Sequence, residues 1–314
     1  MNISKNNVRL PVGNVEIALQ KWPLRKRLEF IDFRLFWDGR VNRGDIREKF
    51  EISVQQASSD LAHYEKLAPD NMTYDRALKT YVRTSAYSPA LIEQSSERFL
   101  LQLVAIDSGW MEQAETWFDD IPPLEVASLR RPPTNAKVLL GILDAIRSRC
   151  EVEIDYRSLT ETADAVRTIA PHALAYNSSR WYVRAWSKDH NDFRDYNLHR
   201  IGALRDPAPT QVDFALDYQW IHTIDLEIGP NPELPDVQQE SVAREYGMVD
   251  GKLVLPVRLS MAFYLMSEHN LDVDVGVLPA VKQQLVLLNR GDVDRARESF
   301  RQLSKQALRR GLAK

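Results

Sequence analysis

The period of the apolar residues changes along this chain, and that change limits what the chain can fold into. Up to about residue 149 they recur at helical spacing; from there Glu151-Val152-Glu153-Ile154-Asp155-Tyr156 alternates polar and apolar, as a half-buried strand does. Neither a pure helical bundle nor a pure sheet satisfies both patterns, so a multidomain α+β chain is expected. The 314 residues allow two or three domains at roughly 100 to 200 residues each, every one able to bury its own core.

The first 90 residues read as three helices and a hairpin. Leu24, Leu28, Ile31 and Leu35 form an apolar stripe flanked by Phe30 and Phe33, with Arg25, Lys26, Arg27 and Arg34 expected on the wet side. A second helix fits residues 42–50, where Asn42 and Asp45 make a capping-box variant. A third starts at Ser53 and stops near Leu67, before Pro69. Met72-Thr73-Tyr74, the turn Asp75-Arg76-Ala77 and residues 78–84 then alternate like a short hairpin. That order is the order of a winged helix-turn-helix.

In the third helix Ala57, Leu61 and Tyr64 share one stripe and must face inward. Ser53, Gln55, Gln56, Ser59, His63 and Lys66 lie on the other sides, and short or medium donors and acceptors are the side chains that reach base edges in a major groove. Arg76 and Lys79 at the hairpin tip, with Arg25, Lys26 and Arg43, are candidates for phosphate contacts that set orientation. Charge agrees with this. Residues 1–90 hold 15 Lys and Arg against 11 Asp and Glu, while the whole chain has net charge −3, so one cationic end sits on an acidic body.

Residues 91–132 read as a helical connector, broken by Pro122-Pro123 and Pro132-Pro133. A helix over 135–149 precedes several short alternating runs, and these suggest a small, strongly curved sheet of SH3-like or Sm-like type within 133–206. Residues 207–314 make a turn-rich linker, holding little beyond a short segment around 214–224 and a possible helix at 237–246, and then a smaller α+β extension. Its last helix, over 292–312, should turn Val293, Ala296, Phe300, Leu303 and Leu308 inward.

The run Arg180-Trp181-Tyr182-Val183-Arg184-Ala185-Trp186, after Pro171-His172-Ala173-Leu174 and before Phe193-Arg194-Asp195-Tyr196-Asn197-Leu198-His199-Arg200-Ile201, resembles the WYL domain of bacterial transcription regulators. Val183 stands where that family usually has Leu. The resemblance covers almost the whole chain, in the order winged helix-turn-helix, WYL domain, C-terminal extension. Ala262-Phe263-Tyr264-Leu265 looks most like the WYL repressors encoded beside anti-phage defence operons. The resemblance implies a ligand-sensing repressor in which some relatives respond to nucleic acid, and it makes the extension and the connector candidates for dimer contacts.

Alternation places Tyr182 with Arg184, and Arg194 with Tyr196 and Arg200; Tyr156 and Ser158 share a face of the first strand. A single face offering Arg184, Arg194 and Arg200 beside Tyr156, Ser158, His172 and Tyr182 would suit a planar anion such as a nucleotide or nucleic acid. Trp181 is expected in the core.

No phosphate loop, dinucleotide fingerprint, HExxH or GxSxG turn is present, and His63, His172, His190, His199, His222 and His269 lack metal-ligand spacing. A non-enzyme without cofactor or metal is expected. Cys150 alone cannot form an internal disulfide, and no apolar run approaches membrane-spanning length or a leader, so a cytoplasmic location is expected. One recognition helix makes few base contacts; a homodimer on a palindromic duplex operator would multiply them. The alternative is a single-strand nucleic-acid adaptor that binds through the central barrel.

Overall fold

The computed structural model describes residues 22–129, 131–159, 165–177 and 179–311. They form two compact units that divide after Arg131.

In the first unit, α1 (Trp22–Trp37) carries Pro23 in its first turn, where a missing N–H costs nothing. It buries Leu28, Phe30, Ile31 and Leu35. Arg34, expected on the wet side, is also buried: its guanidinium lies 2.5 Å from Asp38 and 2.8 Å from Asp119. Arg27 is likewise taken up, by Asp60 at 2.6 Å. Strand β1 (Arg40–Val41) follows, then α2 (Arg43–Phe50) with both bonds of the Asn42/Asp45 capping box formed. Glu51, in left-handed conformation at φ 51°, ends α2, and Ser53 caps α3 (Val54–Leu67) by accepting from the Gln56 N–H. β2 (Met72–Asp75) and β3 (Thr80–Arg83) form the hairpin, which β1 extends to a three-stranded sheet in the order β1-β3-β2.

The inner stripe of α3 is fully buried: Ala57, Leu61 and Tyr64 pack with Leu28, Ile31, Ile46 and Met72. Truncating Leu61 to Ala would cost about 2–5 kcal/mol. Asp32 is a second anchor. Its buried carboxylate accepts from Tyr64 Oη (2.5 Å), Tyr87 Oη (2.8 Å) and the backbone N–H groups of Ala90, Leu91 and Ile92. The start of the connector is thereby tied to α3 through one side chain. Among its described residues the connector holds one α-helix, α4 (Ser96–Asp107), and is otherwise a single 3-10 turn and irregular chain, less helical than expected; Leu100 and Leu101 point to solvent.

The second unit opens with α5 (Ala136–Ser148), whose Val138, Ile142 and Ala145 pack on a five-stranded antiparallel sheet. Its strands are β4 (Cys150–Tyr156), β5 (Ala165–Asn177), β6 (Arg180–Ser187), β7 (Asp192–Asn197) and β8 (Ile201–Pro209), in the order β7-β6-β5-β4-β8. Val183 and Ala185 face α5 with Ile154 and Ile169. The opposite residues, Trp186 and Phe193, meet Leu308 of the last helix, so β6 is buried on both faces.

After a short α6 (Tyr218–Ile221), β9 (Thr223–Pro230) is the middle strand of a second sheet, β10-β9-β11, completed by β10 (Leu253–Arg258) and β11 (Leu285–Leu287). β9 lies in the stretch expected to hold little regular structure. Helices α7 (Asp236–Glu245), α8 (Leu259–Glu268) and α9 (Arg290–Gly311) cover it. In α9 Val293, Ser304 and Leu308 are buried, whereas Leu303 is exposed, against expectation. Leu312 lies outside the described residues.

Candidate nucleic-acid interface and effector surface

The outer face of α3 presents Ser53, Gln55, Gln56, Ser59, His63 and Lys66, all exposed. They do not stand equally free. Ser53 is engaged as the cap, and Gln56 Nε2 donates to Asp60 Oδ1 at 2.9 Å. Asp60 also holds Arg27, so Gln56 and Arg27 are braced by one buried carboxylate. Gln55, Ser59 and Lys66 have no protein partner among the described residues and can offer their full hydrogen-bonding capacity outward.

The hairpin tip is shaped by Asp75, whose Oδ1 accepts from the N–H groups of Ala77 (2.8 Å) and Leu78 (3.0 Å), an Asx turn. Lys79 takes a left-handed conformation at φ 54°. Arg76, Leu78 and Lys79 are all exposed. Leu78, a bare apolar side chain between Arg76 and Lys79, was not among the sequence candidates; an apolar residue at a polar turn was its only signal. The cations sort into two groups. Arg43, Arg76 and Lys79 have no carboxylate partner among the described residues, whereas Arg25 and Lys26 share Glu29 at 2.9 and 2.7 Å.

In the central sheet the residues expected on one face separate. Arg184 sits opposite Asp195 in the β6–β7 register, and Arg194 opposite Ala185, so these two arginines alternate across the pleat. Arg184 is 3% exposed. Its Nε and Nη2 donate to the two oxygens of Asp217 at 2.7 and 2.8 Å, and Nη1 donates to Asp195 at 3.2 Å. Burial works against both charges of the Arg184–Asp217 pair. The bonds between them nonetheless hold Asp217 below the usual carboxylate range and Arg184 firmly protonated. Asp195 is held up, because burial outweighs the pull of Arg184.

His172 joins the same cluster. The β5–β6 register slips between Pro171 and Ala173, which leaves His172 as the extra residue of a bulge. Its Nε2 lies 3.0 Å from Asp217 Oδ2, and its ring stacks on Phe214 at 5.1 Å. Tyr182 is buried against Tyr264 at 4.6 Å. Tyr156 Oη accepts from the Asn197 N–H at 3.2 Å, and Ser158 is half-buried near the end of β4. Arg194 is exposed and Arg200 partly so, neither with an acidic partner among the described residues. Trp181, expected in the core, is 44% exposed and lies against exposed Tyr176 at 4.7 Å.

Residues 23–105 match the BrxR transcriptional regulator winged helix-turn-helix domain, 137–206 the WYL domain, and 223–293 the BrxR transcriptional regulator C-terminal dimerization domain. The chain is 34% identical over 275 residues to the DNA-binding transcriptional repressor CapW of Stenotrophomonas maltophilia, across 87% of this chain and 92% of that one. The chain belongs to the CapW family of transcriptional repressors. CapW of Escherichia coli (strain KTE188) is also 34% identical, over 283 residues covering 87% and 91% of the two chains. The Pseudomonas aeruginosa CapW is 32% identical with the same coverage.

Membership in the CapW family makes this chain a DNA-binding transcriptional repressor rather than an enzyme, with a winged helix at one end and a dimerization domain at the other. Among the described residues no helix is long and apolar enough to cross a membrane, and no group of His, Cys, Asp and Glu could hold a metal ion.

Proposed function

We propose that this CapW-family repressor acts as a homodimer on a palindromic operator, reading bases with Gln55, Gln56, Ser59 and His63 of α3. Ser53 and Lys66 flank the reading face, and Arg43, Arg76 and Lys79 hold phosphates, with Arg25 and Lys26 in a lesser part. The observation that carries this reading is the split of α3 into a buried inner stripe and an exposed polar outer face. Two heads on a symmetric site supply the base contacts that one short helix lacks. The C-terminal dimerization match supports the pairing of two copies.

An anionic effector, a nucleotide or nucleic acid, tunes DNA affinity through the WYL sheet. Arg194, Arg200, Tyr156 and Ser158 offer the contacts; Arg184, His172 and Tyr182 lie beneath as a pre-set support. Such a ligand changes affinity only by preferring one arrangement of the two heads. The controlled genes belong to an anti-phage defence operon, a reading that rests on the likeness of Ala262-Phe263-Tyr264-Leu265.

The test is a gel shift with Gln55→Ala and Ser59→Ala on operator duplex and on single strands. Duplex affinity should fall about 10- to 100-fold per lost base contact pair, with single-strand binding unchanged. Unaltered duplex binding in both variants overturns the reading. The exposed Tyr176–Trp181 pair favours the second reading, single-strand binding by stacking; in that case Trp181→Ala, not Gln55→Ala, removes nucleic-acid binding.

A further inference from the structure

A cavity of about 330 Å³ opens between the β6–β7 edge of the central sheet and the helices α8 and α9. Its lining includes four arginines, Arg184, Arg194, Arg297 and Arg301, against one carboxylate, Asp195. Three of the cations are already engaged: Arg184 by Asp217 and Asp195, Arg301 by Asp192 at 3.2 Å, and Arg297 through Nη1 by Asp294 at 3.7 Å. Two polar groups at the cavity are not. Ser260 is 8% exposed and its Oγ has no partner, and the buried Nε of Arg297 has none either. A buried hydroxyl and a buried guanidinium N–H without acceptors are costly to leave unmade.

Their place in the fold says what would satisfy them. Ser260 is the second residue of α8, a ten-residue helix with no side-chain cap, and Leu259 and Ser260 both line the cavity. The Leu259 N–H is taken by the His222 carbonyl at 3.1 Å, but the Ser260 hydroxyl and the guanidinium donors line the same cavity, where an oxyanion would complete them. Phe263, 47% exposed, adds an aromatic surface at the rim, with the Arg297 guanidinium 5.4 Å from its ring centre. The volume falls at the lower end of small-molecule sites, about 300 to 1,000 Å³.

We propose that this cavity binds the phosphate group of a small phosphate monoester, such as a nucleoside 5′-monophosphate, with Ser260, Arg297 and the first turn of α8 on the phosphate and Phe263 against the ring. The site lies where the WYL sheet meets the C-terminal domain, so its occupancy braces one against the other. The proposal rests on the reading that DNA affinity answers to an anionic effector, and it places that effector's phosphate at this junction, with Arg194 common to the cavity and the WYL surface.

The experiment is calorimetric titration of the full-length protein in phosphate-free buffer, with inorganic phosphate and with each nucleoside 5′-monophosphate. Saturable binding of at least one monophosphate is expected, weakened by competing inorganic phosphate. Arg297→Gln should weaken it about tenfold or more and Ser260→Ala about fivefold, in line with lost charge-assisted and neutral hydrogen bonds. Glu240→Gln, exposed on α7 and outside the cavity lining, should leave it unchanged. Thermal melts establish that each variant is folded; should Arg297→Gln unfold, Ser260→Ala and the phosphate competition decide.

No saturable binding by any monophosphate, binding by inorganic phosphate alone, or monophosphate binding that folded Ser260→Ala and Arg297→Gln retain overturns the site. A gel shift with and without the bound monophosphate then separates the two claims. Binding at the cavity with unaltered operator affinity keeps the site and removes the effector reading.

Discussion

The outer face of α3 and the β6 strand look alike in sequence, since each interleaves polar and apolar residues at its element's own period, yet their polar groups meet opposite fates. Gln55, Ser59 and Lys66 stand in solvent, whereas Arg184 is buried and gripped by two carboxylates. The reason is layering. A helix on the rim of a small bundle has one buried stripe and a wet remainder, but β6 lies between α5 on one side and the C-terminal helices on the other. Alternation in a strand therefore marks two environments without saying that either one is water.

That contrast has a measurable edge. Asp217→Ala would leave the buried Arg184 guanidinium with one of its three carboxylate bonds and a largely uncompensated charge, which costs about 3–5 kcal/mol. Gln55→Ala touches no buried group and should change stability by no more than about 0.5 kcal/mol. Urea unfolding of the full-length variants checks both. If the two substitutions shift the midpoint equally, Arg184 is not the structural charge its surroundings make it, and the distinction drawn between helix and strand fails.

The legibility of the sequence follows the same line. The three N-terminal helices were readable because Asn42, Ser53 and Pro69 mark their ends and one apolar stripe runs through each; the hairpin followed from its turn chemistry. Strand β9 was obscured by Gly229 and Pro230 and by the prolines around it, although it pairs on both sides. Arg34 read as solvated because an i,i+4 partner such as Asp38 is equally at home on a wet face, and Asp119, its second carboxylate, lies far along the chain. Trp181 read as core because tryptophan usually is; at the end of the β5–β6 hairpin it has Tyr176 beside it and little above. Of the interface, the residue types on α3 were readable, but not that Gln56 is braced by Asp60 while Gln55 is free. The cavity at α8 had no sequence signal, since Ser260 and Arg297 come together only through the packing of two distant helices.

Arg34 gives the N-terminal unit its own counterpart to Arg184, with a different pH signature. Burial pushes the Asp38 carboxyl up to about 6, against the pull of Arg34. A carboxyl that holds its proton more tightly in the folded state than its ordinary 3.8 makes the folded form bind more protons between those values. Stability from this group is thus greatest below pH 4 and declines as pH rises to about 6, by an amount that solvent screening keeps below about 3 kcal/mol. Asp38→Asn should flatten that part of the profile in a series of thermal melts. A slope that persists in Asp38→Asn assigns the effect to other carboxylates.

The smallest effect divides the cations of the proposed interface. Arg76 and Lys79 are unpaired at the hairpin tip, so on binding they can neutralise phosphates outright and release counterions. Arg25 must first surrender Glu29, and an exposed pair of that kind is itself worth little, so the difference should appear in salt dependence more than in affinity. Arg76→Ala and Lys79→Ala should each reduce the slope of log affinity against log salt by about 0.9, equally for operator and unrelated duplex. Arg25→Ala should reduce it by less. Titrations between about 50 and 200 mM salt resolve this. An equal reduction in Arg25→Ala would mean that Glu29 yields freely to DNA, and that pairing within the folded protein does not predict which cations reach phosphate.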